Sequence, residues 1–163
     1  MKIAAALILL PAAAAALAAH AASPPPTVSC DSAAMFMEPP KVPADYRVLF
    51  ARVAVPPRYL PQVVSVSGDW PYWRKAGLLV RAGAKGVSVS VPPAWRDRVA
   101  IEWGDSGTVP AFRIAPCTRP PNRWNVYTGG FYLRSPACVP LVVRVGARST
   151  TVRFGLGTHC PAK

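Results

Sequence analysis

Apolar and polar residues alternate with a period of two along much of the chain after Tyr46. The clearest case is the stretch 86–91, in which valine occupies every second position and serine or glycine lies between. Such alternation is typical of a β-strand with one buried and one solvated face. About eight segments of this kind can be recognised, at 46–55, 62–67, 76–81, 86–91, 98–103, 111–115, 139–145 and 149–155.

Prolines and glycines separate these segments, with 20 Pro and 11 Gly among 163 residues. No stretch keeps the repeat of an amphipathic helix over several turns. These features predict an all-β fold, an antiparallel β-sandwich of about eight strands that is either immunoglobulin-like or small and barrel-like. Gly146-Ala147-Arg148 predicts a three-residue hairpin loop, and Pro140 within a strand predicts an edge strand or a bulge.

The first 21 residues have the character of a signal peptide. Lys2 precedes an apolar run, and Ala19-His20-Ala21 fits the small-x-small cleavage pattern. An uncleaved membrane anchor and a lipoprotein lipidated at Cys30 are the alternatives. We therefore expect a secreted protein without a transmembrane span after cleavage, in which a Pro-rich arm (22–45) precedes one β-sandwich domain (46–163).

Four cysteines follow the predicted signal peptide, which favours two disulfides in an exported protein. Cys138 and Cys160 bracket one apparent hairpin, so we favour a bridge between them. Cys30 would then pair with Cys117 and tie the arm to the domain, although four cysteines allow three pairings. No Cys-x-x-Cys occurs, and His159 is the only histidine after the signal peptide, so we expect no metal site and no cofactor.

The formal net charge is +12, from 19 Lys and Arg against 7 Asp and Glu. The cations form no run longer than two and match no nucleic-acid-binding module, so we expect no nucleic-acid partner. An anionic cell-wall polymer or a glycan is the partner that the predicted export favours. A GC-rich codon bias toward arginine is the alternative explanation of the charge.

Catalytic signals are weak. The segment 104–107 resembles the surroundings of the nucleophilic serine in trypsin-like proteases, but the family's following Gly and Pro are missing and no upstream histidine survives cleavage. Asp, Ser and Gly at these positions favour a simple turn. Acidic residues that could form a glycosidase pair are few, namely Asp69, Asp97, Glu102 and Asp105. We therefore expect a protein that is not an enzyme, with a small exported hydrolase as an alternative.

Two aromatic-rich stretches are the candidate ligand-binding sites. Trp70, Tyr72 and Trp73 occupy the first, and Trp124 and Tyr127 the second. Exposed rings beside polar donors could stack on a sugar and form a glycan-binding module. The alternative is that these rings fill the core, with Gly129-Gly130 as a tight turn.

The C-terminal stretch contains Trp124, Gly129-Gly130, Cys138-Val139-Pro140-Leu141 and Gly155-Leu156-Gly157 before Cys160. This pattern resembles that of uncharacterised small exported proteins of high-GC bacteria, a group without an assigned activity. The resemblance implies an intact domain and carries no catalytic residue to this chain. We expect a secreted, non-catalytic β-sandwich protein that acts at the cell envelope as a structural or binding module, of unknown oligomeric state.

Overall fold

A computed structural model describes residues 23–37, 42–118 and 122–162. The predicted signal peptide lies outside these residues. The described chain folds into strands, with two short 3-10 helices at Cys30–Ser32 and Pro93–Trp95. The strands are β1 (Thr27–Val28), β2 (Met35–Met37), β3 (Arg47–Leu49), β4 (Val53–Val55), β5 (Tyr59–Leu60), β6 (Val64–Ser65), β7 (Tyr72–Arg81), β8 (Val87–Ser90), β9 (Val99–Trp103), β10 (Ala111–Ile114), β11 (Trp124–Leu133), β12 (Ala137–Val145) and β13 (Arg148–Leu156).

The strands form two sheets. The six-stranded sheet has the order β1-β10-β8-β12-β13-β5. Its central pairs are antiparallel, while β1 and β5 add at its two edges in parallel. The seven-stranded sheet has the order β2-β11-β7-β4-β3. Its two long central strands each carry one further short neighbour, because β6 pairs with β7 and β9 pairs with β11.

One large apolar cluster joins residues of both sheets, and the predicted sandwich-like all-β fold is confirmed. Trp103, Phe131 and Phe154 are almost completely buried in it. The Trp103 ring meets Phe131 edge-on at 5.3 Å, and its Nε1–H donates to the backbone oxygen of Ala76 at 2.9 Å. Full burial of a large apolar side chain contributes about 1.5–3 kcal/mol, so these rings help to hold the two sheets together.

The strand count differs from the prediction, since thirteen strands are seen in the described residues. The predicted strand 46–55 is in fact a hairpin of β3 and β4, and the chain reverses at Phe50 and Ala51, whose φ angles are 53° and 57°. The short strands β1, β2 and β5 lack an alternating pattern long enough to predict them. The hairpin after β12 is also tighter than predicted, because Val145 pairs with Arg148 and leaves a two-residue loop.

The central strand β11 is the main element that the sequence pattern did not predict. Gly129 and Gly130 lie within it and do not form the tight turn considered above. A Cβ atom on Gly129 would lie 1.9 Å from the Glu102 carbonyl oxygen of β9, and one on Gly130 would lie 2.0 Å from the Arg74 carbonyl oxygen of β7. The two glycines therefore let β11 fit closely between both neighbours.

The predicted disulfides are confirmed, with Cys30 bonded to Cys117 and Cys138 to Cys160. The first joins the N-terminal segment to the chain beyond β10. The second connects β12 to the C-terminal residues. Pro140 lies on β12 opposite Arg153 of β13, outside the part of β12 that pairs with β8. The missing N–H of Pro140 therefore removes no hydrogen bond between β12 and β8.

Candidate binding face

Two of the predicted ligand-binding aromatics are buried, which corrects the sequence interpretation. Tyr127 is fully buried in the main cluster, and its Oη lies 3.1 Å from Cys117 Sγ. Burial raises the pKa of the Tyr127 phenol to about 12, and the charge of Asp105 adds to this. Trp124 is 5% exposed and packs in a second, smaller apolar cluster with Leu79. Neither ring has a free face for a ligand.

The smaller cluster lies on the outer face of the seven-stranded sheet, away from the main core. The segment 42–46 covers it, since Val42 and Tyr46 pack against it. A Cβ atom on Gly77 would lie 3.0 Å from Tyr46 Oη, so the phenol rests directly on the β7 backbone. One half of this outer face is therefore covered by the chain itself.

Trp73 lies on the other half of the same face. Its neighbour Tyr72 packs against the main core, so alternation directs Trp73 outward. Tyr132 lies between the fully buried Phe131 and Leu133 and also points outward. Trp73 and Tyr132 are register partners on neighbouring strands, which places the two residues side by side on this face.

This pair is the centre of a row that crosses four strands. Val64 pairs with Trp73 on one side, and Ala100 pairs with Tyr132 on the other. Ala100 is only 5% exposed, so we call Val64, Trp73 and Tyr132 the aromatic face. Val64 is 49% exposed, while Trp73 and Tyr132 are half-buried. Tyr132 is not among the sequence candidates, and only its position beside Trp73 identifies it.

Polar side chains border the aromatic face on the side of Gly130. Lys75 and Glu102 pair with Gly130 from opposite strands. Thr108 Oγ1 donates to Glu102 Oε2 at 2.9 Å. Burial and the negative charge of Glu102 raise the pKa of the Tyr132 phenol, so the hydroxyl stays protonated and able to donate at neutral pH.

Two arginines and two tryptophans border the opposite side. The Arg134 guanidinium lies 4.7 Å from the centre of the Trp70 ring and donates to the Asp69 carbonyl oxygen. The Arg98 guanidinium lies 5.4 Å from the Trp95 ring. The two arginines are adjacent, because Arg134 N–H donates to the Arg98 carbonyl oxygen at 3.0 Å. Trp70 is therefore capped by a cation on one face and lies at the rim.

The residues considered for catalysis have structural partners. Ser106 is 7% exposed, and its hydroxyl accepts from Trp103 N–H at 3.0 Å and donates to the Gly107 carbonyl oxygen at 2.8 Å. Asp105 Oδ1 accepts from Ser29 N–H at 3.0 Å, which lowers the pKa of Asp105. Both residues thus stabilise the turn and the N-terminal segment. Within residues 23–37, 42–118 and 122–162, no group of three or more His, Cys, Asp and Glu is arranged to hold a metal ion.

Comparison with protein-family models, with curated proteins and with solved structures finds no match to this chain. In the part of the chain that the structure describes, no helix is long and apolar enough to cross a membrane. Fold and surface together define a disulfide-bonded β-sandwich-like protein with an aromatic outer face, and its function is inferred from that face.

Proposed function

We propose that the protein is an exported, non-catalytic binding module of the cell envelope, and that it binds a glycan on the aromatic face. The observation that carries this proposal is the juxtaposition of Trp73 and Tyr132 on a sheet surface whose other half is covered by Tyr46. Two disulfides are compatible with an extracellular location.

The chemistry of the face suits a sugar chain. The C–H face of a sugar ring packs on an aromatic ring, while its hydroxyls need hydrogen-bond partners at the edge. Trp73 and Tyr132 offer the rings, and Lys75 and Glu102 offer a donor and an acceptor beside them. An accessible row that runs across three strands is long enough to contact more than one sugar of a polymer, because neighbouring strands lie about 4.8 Å apart.

The test is a calorimetric titration of the full exported chain with β-1,4-linked N-acetylglucosamine oligosaccharides and with soluble peptidoglycan glycan strands. Trp73→Ala and Tyr132→Ala should each weaken binding about tenfold or more, since central aromatic residues carry much of the energy of such contacts. Phe50→Ala is the matched control, because Phe50 is a partly exposed aromatic residue in the turn between β3 and β4, outside the aromatic face.

The dependence of binding on salt concentration distinguishes ring stacking from simple charge attraction. Binding to the aromatic face should persist at about 0.5 M NaCl, where exposed charges are strongly screened. Binding that disappears at this salt concentration, or that survives both substitutions, would contradict the proposal. So would the absence of binding to every glycan tested.

A further inference from the structure

A cationic cavity lies at the side of the molecule, away from the aromatic face. It has a volume of about 620 Å³, and its lining includes Arg47, Arg58, Arg153, Tyr59 and His159. Arg47 belongs to β3 at one edge of the seven-stranded sheet, and Tyr59 to β5 at one edge of the six-stranded sheet. The cavity is therefore built where the edges of the two sheets meet the C-terminal residues.

The Arg47 side chain reaches from one sheet to the other. Its guanidinium lies 5.1 Å from the centre of the Phe154 ring, and Phe154 is fully buried. Nη2 donates to the Arg153 carbonyl oxygen at 3.5 Å, whereas the buried Nε has no hydrogen-bond partner among the described residues. Half-buried guanidinium groups attract anions more strongly than solvated ones, since less water screens the charge.

Among the described residues, no acidic side chain lines this cavity. Its described lining contains three arginines and neither Asp nor Glu. Burial, and then the like charge of Arg58, lower the pKa of Arg47, which indicates that the charge is partly desolvated and close to a second cation. A bound anion would relieve both effects.

The walls of the cavity are held by the backbone and by a disulfide. Arg58 O accepts from Gly155 N–H at 2.7 Å, and Cys160 is bonded to Cys138. The Tyr59 and His159 rings stack with their centres 3.7 Å apart. The backbone that carries Arg58 and the C-terminal residues is thus held in place by bonds within the fold.

We propose that this cavity binds a phosphate group, and that the ligand is a phosphate-bearing sugar or polyol. Several guanidinium groups around one space suit the oxygens of a phosphate, which accept bidentate hydrogen bonds. The cavity volume falls in the range of small-molecule sites, about 300–1,000 Å³, so it has room for the group that carries the phosphate. This proposal does not depend on the aromatic face.

The experiment compares phosphate sources by calorimetry with the full exported chain. The probes are inorganic phosphate, glycerol 3-phosphate, a short poly(glycerol phosphate), and vesicles of phosphatidylglycerol, with glycerol as the neutral counterpart. We expect the two glycerol phosphates to bind more tightly than inorganic phosphate, and glycerol not to bind. Binding to the vesicles but to none of the soluble phosphates would overturn the proposal, because the arginines would then belong to a surface that attaches to a membrane.

Substitutions locate the site. Arg47→Gln and Arg58→Gln should each weaken phosphate binding about tenfold. Arg47→Gln removes a contact with Phe154 and could therefore destabilise the fold. Arg58 is exposed, so Arg58→Gln should leave the melting temperature almost unchanged and tests the site independently of stability. Arg52→Gln is the control, because it removes the same charge from an exposed turn outside the cavity lining.

An equal loss of affinity in Arg52→Gln and Arg58→Gln would show that net charge alone attracts phosphate and would overturn the proposal. The same conclusion would follow if no phosphate compound bound at all. Trp73→Ala should leave phosphate binding intact, so failure of the phosphate site and failure of the glycan site are distinguishable.

Discussion

The two disulfides should contribute unequally to stability, because they close loops of very different length. Cys30 and Cys117 are 87 positions apart, and Cys138 and Cys160 are 22 apart. In the chain-entropy model, the long loop contributes about 4.6 kcal/mol to the free energy of unfolding and the short loop about 3.4 kcal/mol. Removing the first bridge should therefore cost about 1 kcal/mol more than removing the second.

The longer bridge also has a local role. It anchors the segment that carries β1, which contributes only Thr27 and Val28 to the edge of the six-stranded sheet. Other contacts also hold this segment, among them the Ser29 N–H bond to Asp105 and the close approach of Ser32 to Gly104. Without the bridge, we expect amide exchange to accelerate first in this segment.

The assay is urea unfolding of the double variants Cys30→Ala/Cys117→Ala and Cys138→Ala/Cys160→Ala. Tryptophan fluorescence reports the transition, because Trp103 is fully buried and changes its surroundings on unfolding. Unfolding of each double variant with and without a reducing agent isolates the one remaining cross-link from the packing of the substituted side chains.

Equal losses from the two double variants, or a larger loss from the short-loop variant, would refute the loop-length reasoning. A stable variant without Cys30 and Cys117 whose amide exchange is unchanged around β1 would refute the anchoring role separately. A loss on reduction that matches the loss from substituting the same pair of cysteines would instead support the cross-link as the origin of the effect.

Gly129→Ala should destabilise the protein by about 3 kcal/mol in urea unfolding, because the new methyl group would meet the Glu102 carbonyl oxygen. Gly107→Ala, at a left-handed position (φ 65°) with open space around it, should cost only about 1 kcal/mol. Equal costs would mean that backbone conformation and not close strand approach requires Gly129. Between pH 10 and pH 12, Tyr127 should lower the free energy of unfolding by about 1.4 kcal/mol per pH unit. The reason is that the folded state then binds more protons than the unfolded state. Tyr127→Phe should flatten this slope in unfolding measured from pH 9 to pH 12, and an unchanged slope would assign it to other groups.

The alternating pattern predicted most of the strands of the six-stranded sheet but only part of the other sheet. Strands β8, β12 and β13 have regular alternation, because one side chain in two faces the core. In β11 both faces are covered for part of its length, so Trp124 to Tyr127 are all buried and no alternation remains. Gly129 and Gly130 then suggested a turn, since their role is set by the neighbouring strands and not by their own sequence.

The candidate sites show the same limit. Trp73 and Trp124 both lie in aromatic-rich stretches, and nothing local distinguishes them. Trp124 is covered by the segment of Val42 and Tyr46, whereas Trp73 meets Tyr132 on the uncovered part of the same face. The arginine cavity could not be predicted from the sequence either, because the cations form no run along the chain. Its three arginines come from the distant positions 47, 58 and 153.

The amino-acid sequence by itself determined the all-β class of the described residues and favoured the observed pairing of the four cysteines, because period-two patterning and proline spacing act locally and one cysteine pair brackets a single hairpin. Only the tertiary structure decided which rings are covered and which cations meet. Exposure depends on the segment that packs across a strand, and a charge cluster depends on which sheet edges come together. Neither the exposure of a ring nor the clustering of charges can be predicted from the residues that are adjacent in the sequence.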